Sequence, residues 1–271
     1  MDSLLTRLAL APAVLIIVQA TRGSVPREKG AWMAVFADDA VGTVGGGHLE
    51  FQAIIQARQW LQGRTGDAVV RFALGPALGQ CCGGEVHLGF ELVGALDIPR
   101  LRERLQVRRY PVALFGGGHV AHALVHVAQT LPLSIHWIDS RDEVFPAHLP
   151  SHVVCEHSDP VQAAVAGLQP DSRVLIMSFS HAEDLDVVAA CLLRQRVQAD
   201  LPYVGLIGSA SKWAVFRRRL EARGFTAQEI AHVTCPIGVP GIGGKEPEVI
   251  AIAVAAQLLQ TLPVRCASDA I

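Results

Sequence analysis

The sequence predicts an α/β fold, with a C-terminal Rossmann-like, doubly wound parallel sheet and a smaller N-terminal α+β domain. From Pro111 onward, short apolar runs alternate with helical stretches, which is typical of a parallel sheet wrapped by helices. A turn of three glycines at 116–118 follows the first of these runs and opens a helix. Before residue 100, apolar runs are joined by turns with one longer helical stretch among them, and this pattern favours an α+β domain.

The chain has 271 residues, which is long enough for two domains with well-buried cores. We expect the N-terminal domain to span 1–97, a charged linker 98–110, and the Rossmann-like domain 111–271. The charged segment 97–109 is interpreted as a solvated helix and linker.

Composition excludes several functional classes. Lys and Arg total 23 against 25 Asp and Glu, so the net charge of −2 gives no basis for electrostatic nucleic-acid binding. Six cysteines without regular spacing favour a reducing compartment, and the cytoplasm is the expected location.

The apolar run 8–18 is short, broken by Pro12 and β-branched, so we expect a buried strand there. The run 249–262 is interpreted as a core helix, so no membrane is predicted as a partner.

In the N-terminal part, strands are predicted at 14–20, 31–37 and 85–93. A helix is expected to begin at the glycine turn formed by Gly45, Gly46 and Gly47 and to run to Leu61.

In the C-terminal part, strands are predicted at 112–115, 134–138, 173–178 and 203–207. The pattern Ser180-x-x-Glu183 predicts a capping box at a helix start, and Pro247 fits the first turn of the last helix.

Two adjacent cysteines, Cys81 and Cys82, lie among glycines in the string Gly79-Gln80-Cys81-Cys82-Gly83-Gly84. Neighbouring Cα atoms are about 3.8 Å apart, below the usual disulfide span of roughly 4.4 to 6.8 Å, so two free thiols are expected. Thiolates are soft ligands and good nucleophiles, which favours a thiophilic metal, a persulfide carrier or a redox relay. The alternative is that both are small buried residues beside a strand.

The glycine turn at 116–118 matches the pattern G-x-G-x-x-[GA] through Gly116, Gly118 and Ala121. Asp139 ends the next predicted strand, 23 positions after Gly116, as in a dinucleotide-binding fingerprint. The glycines allow backbone N–H groups to approach a phosphate at a helix N-terminus, and Asp139 could accept a hydrogen bond from a ribose or another polar group. A purely structural tight turn is the other interpretation.

Three histidines follow this turn at helical spacing. His122 and His126 project away from the apolar face of the predicted helix, so we interpret them as exposed or interface residues and not as metal ligands. His119 lies at the ligand end of the helix and stays a candidate.

Three later segments are expected at the carboxyl ends of strands, where open α/β sheets bind ligands. The candidates in them are His181, Ser209, Lys212, Cys235 and Lys245. Small residues and a cation near Ser209 and Lys245 suit an anion, whereas Lys212 could be a solvated helix residue and Cys235 a buried thiol.

Five strings in this order resemble the xanthine dehydrogenase accessory protein family. They are Gly23-Ser24-Val25-Pro26-Arg27-Glu28, Gly42-Thr43-Val44-Gly45-Gly46-Gly47-His48-Leu49-Glu50, Gly79-Gln80-Cys81-Cys82-Gly83-Gly84, Gly116-Gly117-Gly118-His119-Val120 and Cys235-Pro236-Ile237-Gly238-Val239-Pro240-Gly241-Ile242. The resemblance runs from about Val14 to Leu259.

The resemblance implies a chaperone, without turnover of its own, that carries the molybdenum cofactor (molybdopterin). Such proteins protect the cofactor, allow its sulfuration with a cysteine desulfurase, and insert it into the molybdenum-binding subunit of xanthine dehydrogenase. A homodimer is also expected from the family.

Carried onto this sequence, the resemblance makes Cys81 and Cys82 the candidates to face molybdenum. It makes the turns at 45–47 and 116–118 ligand-facing backbone, and Arg27 a phosphate or pterin contact. This sequence departs from the His-Ser-His string expected in the family. In its place stands Ser178-Phe179-Ser180-His181, which lacks the first imidazole.

Two other functions stay open at this stage. An NAD(P)-dependent oxidoreductase would use Gly116, Gly118, Ala121 and Asp139, but the sequence shows no convincing proton-transfer pair for hydride chemistry. A thiol redox or persulfide carrier would use the cysteine pair without a bound cofactor.

Overall fold

The computed structural model describes residues 2–64, 66–74, 83–105 and 108–263. The chain divides into two compact units. We call described residues 2–105 the N-terminal unit and 108–263 the C-terminal unit. Cys81 and Cys82 lie outside the described residues.

The N-terminal unit is an antiparallel sheet with helices on both faces. Its elements are α1 (Asp2–Leu8), β1 (Ala13–Arg22), β2 (Trp32–Val35), β3 (Ala40–Gly42), α2 (Gly47–Leu61), β4 (Val69–Ala73), β5 (Glu85–Val93) and α3 (Ile98–Arg104). The strands lie in the order β3-β2-β1-β5-β4. Antiparallel pairing joins each neighbouring pair.

Strand β1 lies at the centre of this sheet and is buried on both faces. Val14, Ile16 and Val18 pack against α2, whereas Ala13 and Leu15 pack against α1 and α3. A strand covered on both faces has a continuous apolar run, which explains why this segment lacks alternation. The predicted buried strand is confirmed.

The segment expected to be a solvated helix and linker contains α3, and the helix is confirmed. It is not fully solvated, because the Leu101 side chain is completely buried in the core that α3 shares with α1.

The C-terminal unit is a parallel sheet wrapped on both faces by helices. Its elements are β6 (Tyr110–Phe115), α4 (His119–Ala128), β7 (Leu133–Asp139), β8 (Val153–His157), β9 (Arg173–Ile176), α5 (His181–Gln198), β10 (Tyr203–Leu206), α6 (Ala210–Ala222), α7 (Ala227–Ile230), β11 (Val233–Thr234) and α8 (Pro247–Gln260). The strand order is β11-β10-β9-β6-β7-β8. All of its neighbouring pairs are parallel.

This strand order is that of the Rossmann fold, so the predicted fold class is confirmed. Helices α4 and α8 cover one face of the sheet, and α5 and α6 cover the other. The order reverses between β6 and β9, and ligands of open α/β sheets bind at the carboxyl ends of the strands beside such a reversal.

The two predicted helix starts have different outcomes. Pro247 is the first residue of α8, as expected. Ser180 caps α5 by accepting a hydrogen bond from the Ala182 backbone N–H, but the predicted capping box is wrong. The Glu183 carboxylate accepts a hydrogen bond from the Ser140 hydroxyl at 2.7 Å instead of reaching back to the backbone.

Among the helices of the described residues, none is long and apolar enough to cross a membrane.

Candidate functional site

Two candidate regions emerge, one in each unit. In the N-terminal unit, the loop after β1 and the start of β5 are in close contact. Arg22, the last residue of β1, pairs with Glu85, the first residue of β5. A Cβ atom added to Gly84 would collide with the Ser24 carbonyl oxygen and lie 2.7 Å from that of Arg22. Only a residue without a side chain fits this approach.

The glycine turn before α2 contacts the same loop. A Cβ atom added to Gly45 would lie 2.5 Å from Cγ of Pro26, and Gly45 has a φ of 141° that strongly favours glycine. The structure therefore brings together three motifs that are distant in sequence: residues 23–27, 43–47 and 83–84. We call these residues the N-terminal loop cluster. Arg27 is exposed within it.

The glycine turn before α2 is held by the protein's own side chains. The Glu50 carboxylate accepts hydrogen bonds from the Gly46 N–H at 2.8 Å and from the Thr43 hydroxyl at 2.6 Å. The Gly45 N–H donates to the Thr43 hydroxyl at 3.2 Å. These glycine amides are thus occupied, and a negative carboxylate already lies at the positive end of the helix dipole.

An ionic cluster lies where β4 and β5 pair, at the Ala73 and Glu85 positions. Glu85 forms an ion pair with Arg71 and a hydrogen bond with His87 at 2.7 Å. Hydrogen bonds from Arg71 and then His87 lower the pKa of Glu85 to about 2. In sequence, Cys81 and Cys82 fall between these two strands, so the cluster ties together the ends of the segment that carries them.

In the C-terminal unit, the glycine turn lies at the reversal of strand order. Gly116 has a φ of 118°, and a Cβ atom there would collide with the Met177 carbonyl oxygen at the end of β9. Gly118 caps α4 without any side-chain hydrogen bond, and a Cβ atom there would meet open space. The first turn of α4 therefore presents backbone N–H groups to solvent, with His119 exposed beside them.

Asp139 holds this turn in place. Its Oδ2 accepts from the Gly117 N–H at 2.5 Å and from Arg141 Nη2 at 3.0 Å, and its Oδ1 accepts from the backbone N–H and Nε of Arg141 at 2.8 and 2.9 Å. Burial raises the pKa of the Asp139 carboxyl, but the Arg141 hydrogen bonds outweigh this effect and the net pKa is below its ordinary value. A carboxylate has about four acceptor positions, and all four are used here.

The loops after β7 and β9 are tied to each other. Besides the Ser140 to Glu183 hydrogen bond, the Arg141 guanidinium lies 4.5 Å from the centroid of the Phe179 ring, which is exposed. His181 begins α5, is exposed, and has an edge contact with Phe216 at 6.3 Å between ring centroids.

A buried ion pair joins α5 to α6. Lys212 Nζ donates to Asp184 Oδ2 at 2.6 Å and to the Ile207 carbonyl oxygen at 2.8 Å. The other oxygen of Asp184 accepts from the backbone N–H and the hydroxyl of Ser178. The interpretation of Lys212 as a solvated residue is therefore wrong. Sequence reasoning missed Asp184, because nothing in its local pattern distinguishes it from neighbouring Glu183.

Gly208 lies against both Lys212 and Cys235. A Cβ atom added to Gly208 would lie 2.8 Å from Cδ of Lys212 and 3.5 Å from Sγ of Cys235. Burial raises the pKa of the Cys235 thiol to about 11, with Lys212 lowering it and Asp184 raising it. We call Ser178, Asp184, Lys212 and Cys235 the lysine cluster.

The remaining candidates are not members of the lysine cluster. Ser209 caps α6 by accepting from the Lys212 backbone N–H at 3.2 Å. The Lys245 side chain is exposed and makes no hydrogen bond or ion pair within the described residues. His122 and His126 are exposed on α4, as predicted, although His122 also has an edge contact with Trp137. Across residues 2–64, 66–74, 83–105 and 108–263, no group of three or more His, Cys, Asp or Glu side chains is placed to hold a metal ion.

The fold and these regions define a two-unit α/β protein with a glycine turn at the switch point of a Rossmann-like sheet and glycine-rich loops in an antiparallel unit. Family models match both parts: the XdhC Rossmann domain over residues 112–258, and the XdhC and CoxI family over residues 8–73. The chain belongs to the XdhC and CoxI family, which confirms the resemblance.

Two relatives show how far the similarity extends. An uncharacterized protein, YqeB, from Escherichia coli (strain K12) is 31% identical over 258 residues. This alignment covers 92% of the chain but 43% of YqeB, so the chain spans less than half the length of that relative. A crystal structure described as a xanthine dehydrogenase from Bacillus halodurans matches with a TM-score of 0.75 and 21% identity, covering 96% of this chain and 94% of that one. At 21% identity, the likeness to the Bacillus halodurans structure concerns the fold alone.

Proposed function

We propose that this protein binds the molybdenum cofactor (molybdopterin), protects it, supports its sulfuration, and inserts it into xanthine dehydrogenase. Family membership suggests a role in xanthine dehydrogenase maturation, and the specific acts of binding, sulfuration and insertion are our proposal. The protein acts as an accessory factor that carries the cofactor and does not turn over a substrate.

The observation that carries this proposal is the N-terminal loop cluster. Gly84 approaches the carbonyl oxygens of Arg22 and Ser24 so closely that it fixes one end of the segment containing Cys81 and Cys82. Segments of the family-typical glycine motifs thus meet at Gly83 and Gly84, which follow the cysteine pair in sequence. Thiolates are soft ligands that suit a thiophilic metal, so we assign the molybdenum-facing role to this pair. Arg27 is the exposed cation of the cluster and is proposed to contact the phosphate or the pterin.

The N-terminus of α4 suits the phosphate of the cofactor better than the N-terminus of α2 does. The glycines at the start of α2 donate to Thr43 and Glu50, so an added anion would meet the Glu50 carboxylate there. The first turns of both helices lack a side-chain cap. At α4, however, the nearby Asp139 carboxylate is compensated by Arg141, and Gly118 leaves open space beside the turn. Uncapped N–H groups at the positive end of a helix dipole form an anion site. We therefore assign phosphate binding to Gly118 and His119. Gly116 shapes the turn, because it is buried and its N–H already donates to the Ile138 carbonyl oxygen at 2.8 Å.

The lysine cluster contributes less charge than its composition suggests. The Lys212 ammonium is compensated by Asp184, so it adds little attraction for an anion. We keep Ser209, Lys212, Cys235, His181 and Lys245 as candidate ligand contacts, and assign Asp139 to holding the glycine turn.

A nicotinamide-dependent oxidoreductase is less compatible with the geometry. Recognition of a ribose needs a free acceptor at the end of the second strand of the Rossmann domain. All acceptor positions of Asp139 are filled by Arg141 and Gly117, so ribose binding would require the Arg141 interaction to break. The persulfide-carrier hypothesis concerns Cys81 and Cys82 themselves and is tested with them below.

We further propose that the protein works as a homodimer in the cytoplasm. Its protein partners are the molybdenum-binding subunit of xanthine dehydrogenase and a cysteine desulfurase.

The test is anaerobic purification from a host that produces the cofactor, followed by elemental analysis for molybdenum and by fluorescence of the oxidised pterin. We expect molybdenum and pterin in equal, near-stoichiometric amounts with the wild type, and loss of both with the Cys81→Ala, Cys82→Ala double variant. Cys155→Ala is the matched control, because Cys155 is a half-buried thiol on β8.

The same samples discriminate the alternatives. Bound sulfane sulfur without molybdenum or pterin, lost in the double variant, would replace the chaperone with a persulfide carrier. Micromolar binding of NADH by a wild type that carries no pterin would favour the oxidoreductase.

A further inference from the structure

A cavity of about 320 Å³ lies at the amino edge of the parallel sheet in the C-terminal unit. It is lined by residues at or just before the starts of β6, β7, β8 and β9, and by Gly167 at the end of the 3-10 helix Val161–Gly167. The volume is within the range of small-molecule sites. Because the strands are parallel, their starts lie at the edge opposite to the glycine turn at 116–118.

This cavity contains space that a ligand can reach. A Cβ atom added to Gly167 would have no atom from outside its own stretch of chain within 4 Å. Ser151 and Gln169 are exposed, and Ser134 is half-buried. Within the described part of the chain, neither serine hydroxyl nor the Gln169 side-chain amide makes a hydrogen bond to protein. These polar groups are therefore open to solvent and available to a ligand.

One wall of the cavity is formed by alternate residues of β7. Ser134 and His136 are two positions apart on this strand, so their side chains project from the same face of the sheet. The Nε2 atom of His136 lies 2.7 Å from the carboxylate of Glu156, which is on the neighbouring strand β8. Since a carboxylate only accepts hydrogen bonds, Nε2 carries the hydrogen, and Nδ1 of the neutral ring is left as an acceptor for a ligand.

The wall that contains Gly167 is held in place by a buried arginine. Arg194 donates from Nη1 to the Val165 carbonyl oxygen at 2.7 Å and from Nη2 to the Leu168 carbonyl oxygen at 2.8 Å. These carbonyl groups lie on either side of Gly167 in the chain. The backbone here is fixed by contacts within the protein, so a ligand does not have to order it.

The lining determines the chemistry of the ligand. Among the described residues that line the cavity there is no Lys, Arg, Asp or Glu, so no charged side chain there can compensate an ionic group. Hydroxyl, amide and imidazole groups supply donors and acceptors, and Pro111, Ile135 and Val154 supply an apolar surface. A sugar ring matches both properties, because its hydroxyls form hydrogen bonds and its C–H face is apolar.

We propose that this cavity binds an uncharged polyhydroxylated ring, either a free sugar or the ribose of a nucleoside. Ring hydroxyls form hydrogen bonds with the side chains of Ser134, Ser151 and Gln169, and one of them donates to His136 Nδ1. The C–H face of the ring packs against Val154, whose apolar side chain is 61% exposed in the protein alone.

This site is separate from the proposed cofactor site. Ser134 is the second residue of β7 and Asp139 is its last. Five residues of strand span about 16 Å, so the cavity and the glycine turn that Asp139 holds lie at opposite ends of the same strand. The inference goes beyond the proposed function, and neither depends on the other.

The experiment is saturation-transfer difference NMR on the purified full-length chain, with each probe titrated to obtain Kd. The probes are methyl β-D-ribofuranoside, adenosine, ribose 5-phosphate, and cyclohexanol as a ring with a single hydroxyl. We expect the methyl riboside or adenosine to bind with at least tenfold lower Kd than cyclohexanol, and the tighter of the two identifies the source. Cyclohexanol binding as tight as theirs, or no saturable binding of either, would overturn the proposal.

Two substitutions locate the binding. Gly167→Leu fills the cavity without backbone strain, because Gly167 has no positive φ, and it should raise Kd at least tenfold. Ser134→Ala removes one hydroxyl and should raise Kd about fivefold, the equivalent of one hydrogen bond at about 1 kcal/mol. Gly94→Leu is the control, because Gly94 also has open space beside it and a φ of −145° but does not line the cavity.

The variants also decide the outcomes that would contradict the inference. A folded Gly167→Leu protein that keeps the wild-type Kd would overturn the assignment of binding to this cavity. If Gly167→Leu fails to fold, an unchanged Kd in Ser134→Ala would overturn it instead. Ribose 5-phosphate that binds more tightly than the methyl riboside, and loses this affinity in Gly167→Leu, would show that the ligand is an anion and would also overturn the proposal.

Discussion

Lys212 and Asp184 form an ion pair in which Nζ and Oδ2 are 2.6 Å apart and only 12% and 1% of the two side chains are exposed. The pair joins the first turns of α5 and α6, beside the carboxyl ends of β9 and β10. Such a pair is costly to bury but more costly to break, because the remaining charge is left without compensation.

Lys212→Met should therefore destabilise the protein by about 3–5 kcal/mol. The double variant Lys212→Met, Asp184→Asn should recover most of this loss, because the amide oxygen still accepts from Ser178. Urea unfolding at pH 7 measures both effects. Arg223→Met is the control, since the Arg223 to Asp186 pair is exposed and should contribute no more than about 1 kcal/mol. If Lys212→Met lowered the unfolding free energy as little as the control does, the interpretation of Lys212 and Asp184 as a buried ion pair would be contradicted.

The ionisation of Cys235 should respond to the same pair. Burial raises its thiol pKa to about 11, so alkylation by iodoacetamide should be slow at pH 8 and should keep accelerating up to pH 10. Asp184→Asn should lower this pKa and speed the reaction, whereas Lys212→Met should raise it. Mass spectrometry of the Cys235 peptide gives the rates.

Lys212→Arg retains the charge and serves as the control in this series. A Cys235 rate that levels off near pH 8.5, as for an exposed thiol, would show that the thiol is not buried in solution.

Gly84 and Gly83 provide a direct test of the N-terminal loop cluster. Gly84→Ala places a methyl group against the carbonyl oxygens of Ser24 and Arg22, and these backbone atoms cannot move independently of the sheet. We expect a loss of about 1–3 kcal/mol in unfolding free energy and reduced retention of molybdenum. Gly83→Ala should change stability by less than about 0.5 kcal/mol, because nothing lies within 4 Å of the added atom. Equal effects of the two substitutions would show that the close approach is not essential.

The Glu85 cluster should make stability depend on acid pH. The folded-state pKa of about 2 is below the ordinary value of 4.5, so the Glu85 contribution is fully present above pH 4.5 and is lost as the pH falls towards 2. The stability difference between the wild type and Glu85→Gln should therefore be greatest near pH 6 and should shrink by pH 3. Urea midpoints at several pH values measure it.

Glu103→Gln, on the exposed side of α3, is the control for this measurement. A difference between wild type and Glu85→Gln that stays constant from pH 6 to pH 3 would exclude the ionised Glu85 carboxylate as its source.

The central elements of both sheets were predictable, because burial leaves a strong apolar pattern. The β5 bounds were predicted exactly, and β1 and β6 within three residues. Strands β3, β4, β8 and β11 were missed, and all four are edge strands in the described sheets. An edge strand is half solvated and carries little hydrophobic signal: in β4, only Phe72 is buried.

The parts of the candidate site that could be predicted from the sequence are those that contain glycine motifs. Gly45 and Gly116 have positive φ angles and close neighbours, the Pro26 ring and the Met177 carbonyl group respectively. Only glycine accommodates both conditions, so these positions stand out in the sequence. The Asp184 to Lys212 pair was not predictable, because its members are 28 residues apart and neither local sequence shows that the side chain is buried. The roles of Glu50 and Asp139 as internal partners of the glycine turns depend likewise on three-dimensional contacts.

The tie between the loops after β7 and β9 affects how any ligand would bind beside α4. Ser140 and Glu183 are hydrogen-bonded, and Arg141 stacks on Phe179, so the two loops hold each other through contacts that need no ligand. A ligand that enters there loses little affinity to loop ordering and meets a shape that already exists. We therefore expect a ligand to be selected here by rigid fit, with association limited by diffusion and orientation and not by a closing motion.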